Sequence, residues 1–272
     1  MMNKTLTKIE NTKPLSAFGL KLVAVITMLI DHLGLVFRPY ISMDFFWCLR
    51  LIGRIAMPLY CLMAVEGVMH TRNFKKYALR MLTFAVISEI PFDMAVGRKT
   101  GIYFIFNLNS QNVMWTLLAG IIMLYIIEYC RKTNVKFFIP ALVVTPVLFY
   151  FLCEKTRTDY GGYGILMIYL FYIVREVIPL KGIWRDVLFA LAVVLLSFPL
   201  HILCFGSAGF SLFGFWIPCS FECGAVLAIV PVTLYGGKQG YHSKASKQFF
   251  YWFYSAHLAV LGIIFWFIRT LK

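Results

Sequence analysis

An Asp and a His stand side by side deep in an apolar run, in the stretch TMLIDHLGLVF at positions 27–37. A carboxylate in hydrocarbon costs at least ~3 kcal/mol on insertion scales, so such residues usually face a bundle interior or a wet cavity and mark a working site. Histidine near neutral pH can take or give a proton, and His32 beside Asp31 therefore has the makings of a general base. Other ionisable residues recur in similar surroundings. Arg50 and Arg54 are spaced i,i+4 and share one helix face. Glu89 and Asp93 repeat that spacing in SEIPFD, where Pro91 is expected to kink the helix and free a carbonyl. Asn112, Asp159 (opening DYGGYG), His201 and Glu222 complete the set, and Glu66, His70, Tyr254 and His257 form a second one.

The elements that carry these residues follow from composition. Of 272 residues, 61% are hydrophobic and 14% charged, against ~25% charged in soluble domains. Apolar runs of membrane-spanning length recur from end to end. The ~10-residue alternating segments of a β-barrel do not appear. The sequence therefore predicts an all-α, polytopic transmembrane helix bundle in one domain over 1–272. About nine spans are expected, near 19–37, 50–70, 75–95, 111–130, 136–153, 161–178, 184–204, 213–235 and 249–269. Residues 1–18 read as a polar cytoplasmic tail and the first helix as an uncleaved signal anchor. The net charge of +14 reads as a topology signal. With the N-terminus inside, most connector Lys and Arg fall on the cytoplasmic side, which favours a multi-pass cell-membrane protein oriented that way. No basic run with interleaved aromatics points to nucleic acid. The seven cysteines read as small buried hydrophobes, with Cys219 and Cys223 inside a helix and no metal expected.

Orientation gives each polar residue a depth. His32 falls ~18 Å from the inner face at the helical rise. Asp31, Arg50, Arg54, Glu89, Asp93, Asn112, Asp159 and His201 all fall in the outer half, and they predict a polar cavity there. Glu66 and His70, with Tyr254 and His257, fall nearer the cytoplasm. Two polar levels resemble the two ends of a path. Plainer roles compete: Glu89 and Asp93 could neutralise Arg50 and Arg54, Asn112 could only cap its helix, and the glycines of DYGGYG could only permit close helix approach. Tyr254 and His257 could be an interfacial aromatic and a hydrogen-bonded core histidine.

Eight ordered blocks carry a resemblance. They are LKLVAVITMLIDHLG (20–34), RLIGRIAMPLYCLMAVEG (50–67), HTRNFKKYALRML (70–82), SEIPFD (88–93), NVMWTLLAG (112–120), DYGGYGIL (159–166), LYGGKQG (234–240) and FFYWFYSAHL (249–258). Together they resemble the TraX family over nearly the whole chain. Two departures stand out. Ser255 and Ala256 replace the middle of the family's Tyr-Pro-Leu-His-Leu block, and Gly236-Gly237 stands where Asn-Gly is common. The family takes its name from the membrane protein that acetylates the N-terminus of F-type conjugative pilin. The resemblance therefore implies an acetyl-CoA-dependent acyltransferase similar to multi-span membrane acyltransferases, acting on an extracytoplasmic amine or hydroxyl of a peptide or glycan.

Acyl transfer from a thioester needs a base for the acceptor and donors for the oxyanion. His32 is the expected base or transient acyl carrier. Adjacent helix residues diverge, so Asp31 is expected to pair with Arg54 or Arg50, leaving Glu89 or Asp93 to orient His32. Asn112 could donate to the oxyanion. Arg50, Glu66, Asp159, Tyr254 and His257 would line the acyl path. Arg72, Lys75, Lys76 and Arg80 could hold the phosphates of CoA at the cytoplasmic mouth, or be an ordinary positive-inside loop. A secondary or proton-coupled transporter would also bury such charges, but should show inverted repeats, and none is visible. A scaffold would have no need for them.

Overall fold

A computed structural model describes residues 13–96, 109–200 and 209–270. Short polar side chains set where many helices begin. Ser16 Oγ accepts from Gly19 N–H at 3.3 Å and opens α1 (Ala17–Phe37). Ser42 does the same for α2 (Met43–Gly53), Asn112 for α5 (Val113–Thr133), and Asn134 for α6 (Val135–Thr156). Each satisfies an N–H that the first helical turn leaves without a partner. Between α2 and α3 (Ala56–His70) the helix breaks only at Arg54 and Ile55. The remaining long helices are α4 (Phe74–Val96), with Pro91 inside it, and α10 (Lys244–Thr270). α7 (Gly161–Tyr172) runs into a π-helical segment, Ile173–Val177, and α8 (Ile183–Leu195) into another, Leu196–Leu200.

Helices dominate, but not as nine uniform spans. Among the described residues, five stretches are long and apolar enough to cross a membrane: Ala17–Tyr40, Met43–His70, Val113–Thr133, Val135–Thr156 and Lys244–Ile268. The expected span at 213–235 is replaced by smaller pieces. A hairpin pairs β1 (Phe210–Leu212) with β2 (Phe215–Ile217), followed by a 3-10 helix, Phe221–Ala228, and the short α9 (Ile229–Leu234). The apolar run there is real, but Gly214 at positive φ turns the chain at the hairpin tip and Ser220 restarts it as a 3-10 helix. Cys219 accordingly precedes that helix and Cys223 lies in its 3-10 turn, not in an α-helix. Part of the expected span at 184–204, together with His201, falls outside the described residues.

Packing brings α10 along α4 and α1, and α2 against α1 and the 3-10 helix. α6 is the outlier, with only 11% of its apolar stretch buried, and it presents a lipid-suited face. The chain entering α1 is stitched to the segment after α9. Leu15 N–H donates to Leu234 O at 3.1 Å, Gly236 N–H to Leu15 O at 3.0 Å, and Ala17 N–H to Lys238 O at 2.7 Å. Gly240 has φ +70°, and a Cβ there would overlap Ser16. The LYGGKQG run thus serves as a backbone clasp at the end of the bundle where α1 and α10 begin. The hairpin lies at the opposite end, where Asp44 at the start of α2 accepts from Phe213 N–H at 2.7 Å.

Candidate active site

Asp31 and His32 leave α1 in different directions, as the ~100° step between neighbouring helix residues requires. Asp31 turns to α2. Its Oδ2 accepts from Arg50 Nη1 and from Arg54 Nη2, each at 2.5 Å. Arg54 Nη1 also donates to Glu222 Oε1 at 2.7 Å. Both guanidinium groups lie over the Phe221 ring, 4.7 Å and 5.2 Å from its centroid, and Arg54 also lies 5.6 Å over Tyr160. All four charged residues are buried. Two cations and two carboxylates cancel, which is what makes such a cluster tolerable in an apolar interior. Gly53 is the residue that lets α2 come this close: a Cβ there would overlap the Asp31 side chain.

His32 turns to α10. Its Nδ1 lies 2.7 Å from His257 Nε2, with ring planes only 19° apart. His257 Nδ1 in turn donates to Phe253 O at 2.6 Å. The Tyr254 ring is 6.3 Å from that of His32. This corrects the expectation of a separate inner level for Tyr254 and His257. α10 begins at Lys244, a turn and more before the expected start at 249. His257 therefore stands about 20 Å along its helix and His32 about 22 Å along α1, from the same end of the bundle. A cavity of about 210 Å³ opens beside these groups. Asp31, His32, Arg50, Arg54, Asp159, Tyr160 and Tyr254 form its polar wall, and Met28, Met57 and Phe92 part of its apolar one.

Glu89 and Asn112 are engaged elsewhere. Glu89 Oε1 accepts from Asn112 N–H (3.1 Å), Asn112 Nδ2 (2.7 Å) and Trp115 Nε1 (2.6 Å). Asn112 Nδ2 also donates to Ala85 O at 2.8 Å, and its Oδ1 caps α5 by accepting from Met114 N–H at 2.9 Å. Both amide protons of Asn112 are thereby used in joining α4 to α5, which leaves none for an oxyanion. The ring partner of His32 is His257 rather than Glu89, because α10, not α4, faces Nδ1. Arg50 and Arg54 draw their counter-charges from Asp31 and Glu222, not from Glu89 and Asp93. Asp93 is buried on α4 beside Phe92. Ser88 and Ser255, 2.6 Å apart through their hydroxyls, tie α4 to α10 near the histidine pair.

Nearer the other end, Glu66 pairs with Arg175 at 2.5 Å and with His70 at 3.3 Å, and Arg175 lies 6.0 Å over Tyr235. Arg72, Lys75 and Lys76 are exposed at the start of α4, while Arg80 is half-buried with its guanidinium 5.7 Å over Tyr251. Among the described residues no three His, Cys, Asp or Glu side chains converge as a metal site. The sequence gives no sign of Tyr160 or Phe221 at the site, and it offers Glu222 without a role. Glu222 carries a signal as a lone acid in an apolar run, but its partner is fixed only by the 3-10 helix, which sets it against Arg54 at the end of α2.

Long apolar helices wrapped around a buried charged cluster and a histidine-lined cavity define a multi-pass helical membrane protein. The chain belongs to the TraX family, whose model, described as TraX protein, matches residues 16–265. It is 38% identical over 120 residues to a probable fimbrial assembly protein, FimC of serogroup H1, from Dichelobacter nodosus, covering 41% of this chain and 46% of that one. It is 29% identical over 158 residues to an uncharacterized protein, RP591, of Rickettsia prowazekii (strain Madrid E), covering 58% and 55%. The chain thus spans about half the length of the curated relatives it matches. No solved structure matches.

Proposed function

We propose that the chain is an integral membrane acyltransferase that moves an acetyl group from cytosolic acetyl-CoA to an amine or hydroxyl of an extracytoplasmic acceptor. The observation that carries this reading is the His32–His257 pair beside a cavity that two ion-paired arginines also line, in a member of the TraX family. A fimbrial or pilin subunit is the acceptor class favoured by the relative named for fimbrial assembly. In the reaction His32 takes the proton of the acceptor N–H or O–H as the acceptor attacks the thioester carbonyl. The C–S bond then breaks and the thiolate takes the proton. Alternatively, His32 first carries the acyl group itself and passes it on. Arg50 and Arg54 offer guanidinium N–H donors to a developing oxyanion, and Asp31 and Glu222 hold them in place. Arg72, Lys75, Lys76 and Arg80 face the end of the bundle assigned to CoA.

Purified protein in vesicles, given acetyl-labelled acetyl-CoA and a peptide amine, tests the class of activity. Free CoA and a covalently labelled peptide support it. Label that enters the vesicles without covalent change supports a transporter instead.

A further inference from the structure

We propose that His257 is a positioning residue that holds His32 in the tautomer protonated on Nδ1, leaving Nε2 as the one ring atom of His32 able to take a proton or an acyl group. A chain of contacts carries the inference. Phe253 O is a carbonyl and can only accept, so the 2.6 Å contact requires a proton on His257 Nδ1. In a neutral ring His257 Nε2 then bears a lone pair. The 2.7 Å contact with His32 Nδ1 requires a proton on that atom, and the lone pair of His32 is left on Nε2. The near-coplanar rings, 19° apart with centroids at 5.0 Å, are the arrangement of an in-plane N–H···N bond. A neutral His257 fits its surroundings. Its ring neighbours are His32, Phe253 and Tyr254, while the Asp31 carboxylate is already shared by two arginines. An added cation there would be buried without a counter-charge.

The device is built to stay put. The Phe253 ring lies 4.9 Å from His257 and nearly parallel to it. The Ser88–Ser255 hydroxyl pair fixes α10 against α4 two residues earlier. His32 itself lines the cavity. A second histidine here does the work that a carboxylate does beside many catalytic imidazoles, which is to fix the tautomer and orientation of the ring. It does so without adding a negative charge beside Asp31.

Nitrogen-15 NMR of histidine-labelled protein in nanodiscs reads the tautomer directly. The chain has five histidines, and His32 is assigned by the signals lost in His32→Gln. The expected result is a bare Nε2 and a protonated Nδ1 on His32. Protonation of His32 on Nε2, or a doubly protonated His257, overturns the proposal. A kinetic arm rests on the acyltransferase reading. His257→Phe keeps a ring but removes the acceptor, and should lower kcat by about tenfold or more, short of the ~10²–10⁴-fold lost with a general base itself, with KM for acetyl-CoA little changed. His257→Gln restores an acceptor and should recover part of the loss. An unchanged tautomer and kcat in His257→Phe contradicts the proposal. Absence of any transfer by the wild type defeats the acyltransferase reading, while the NMR result still decides the tautomer.

Discussion

One carboxylate oxygen, Asp31 Oδ2, takes hydrogen bonds from two guanidinium groups, and the next residue along the helix is the histidine that lines the cavity. The ~100° step between them separates the two, with charge balance on one side and the proposed proton chemistry on the other. Removing one member of a buried ion network leaves an uncompensated charge, at a cost of about 3–5 kcal/mol. Asp31→Asn should therefore lower the thermal unfolding temperature in detergent clearly, where an exposed substitution such as Lys75→Gln should not. Equal melting of the two variants would contradict the proposed balance. Much of this was legible in the sequence. Asp and His in an apolar run, an i,i+4 arginine pair and a lone Glu222 all announced buried polar chemistry. Which carboxylate met which cation was not legible. Glu89 and Glu222 are equally acidic in sequence, and only the 3-10 turn of Phe221–Ala228 and the capping of α5 decide that Glu222 meets Arg54 while Glu89 meets Asn112 and Trp115.

At the scale of elements, close approach is the controlling variable. α2 reaches Asp31 because Gly53 has no Cβ. Gly53→Ala should push α2 away, with a penalty on the order of 1–3 kcal/mol for overpacking and a matching loss of acetyl transfer. Stability and transfer both at wild-type level in Gly53→Ala would sink that account. The long helices α1, α4, α5 and α6 follow the hydrophobic pattern to within a few residues, as does the end of α10. What the pattern could not supply was the start of α10. Its first turn, KASKQ, is polar, so a hydropathy reading places the helix late and puts His257 a turn and more too shallow. The hairpin at 210–217 was hidden for the opposite reason. Its residues are as apolar as a span, and only Gly214 and the Phe213 backbone at positive φ reveal the reversal.

For the molecule as a whole, the clasp between Leu15–Phe18 and Leu234–Gln239 joins the start of α1 to the loop that leads into α10, so both histidine-bearing helices are held at a common level. This end is the one proposed to face the cytoplasm, and the hairpin end to face outward. In a background without native cysteines, a cysteine at Ser243 should react with an impermeant thiol reagent only from the cytoplasmic side, and one at Phe213 only from outside. Labelling of both from one side would contradict the bundle's two-ended arrangement, and the reverse pattern would contradict the N-inside orientation. The acyltransferase reading joins the two ends through the cavity, with acetyl-CoA approaching the cations near α4 and the acceptor reaching His32 from the hairpin side. The most direct test compares wild-type protein with His32→Ala, both purified and inserted in vesicles, for transfer of label from acetyl-CoA to an acceptor amine. Release of CoA and labelled acceptor is expected with the wild type and neither with His32→Ala. Full transfer by His32→Ala would contradict it.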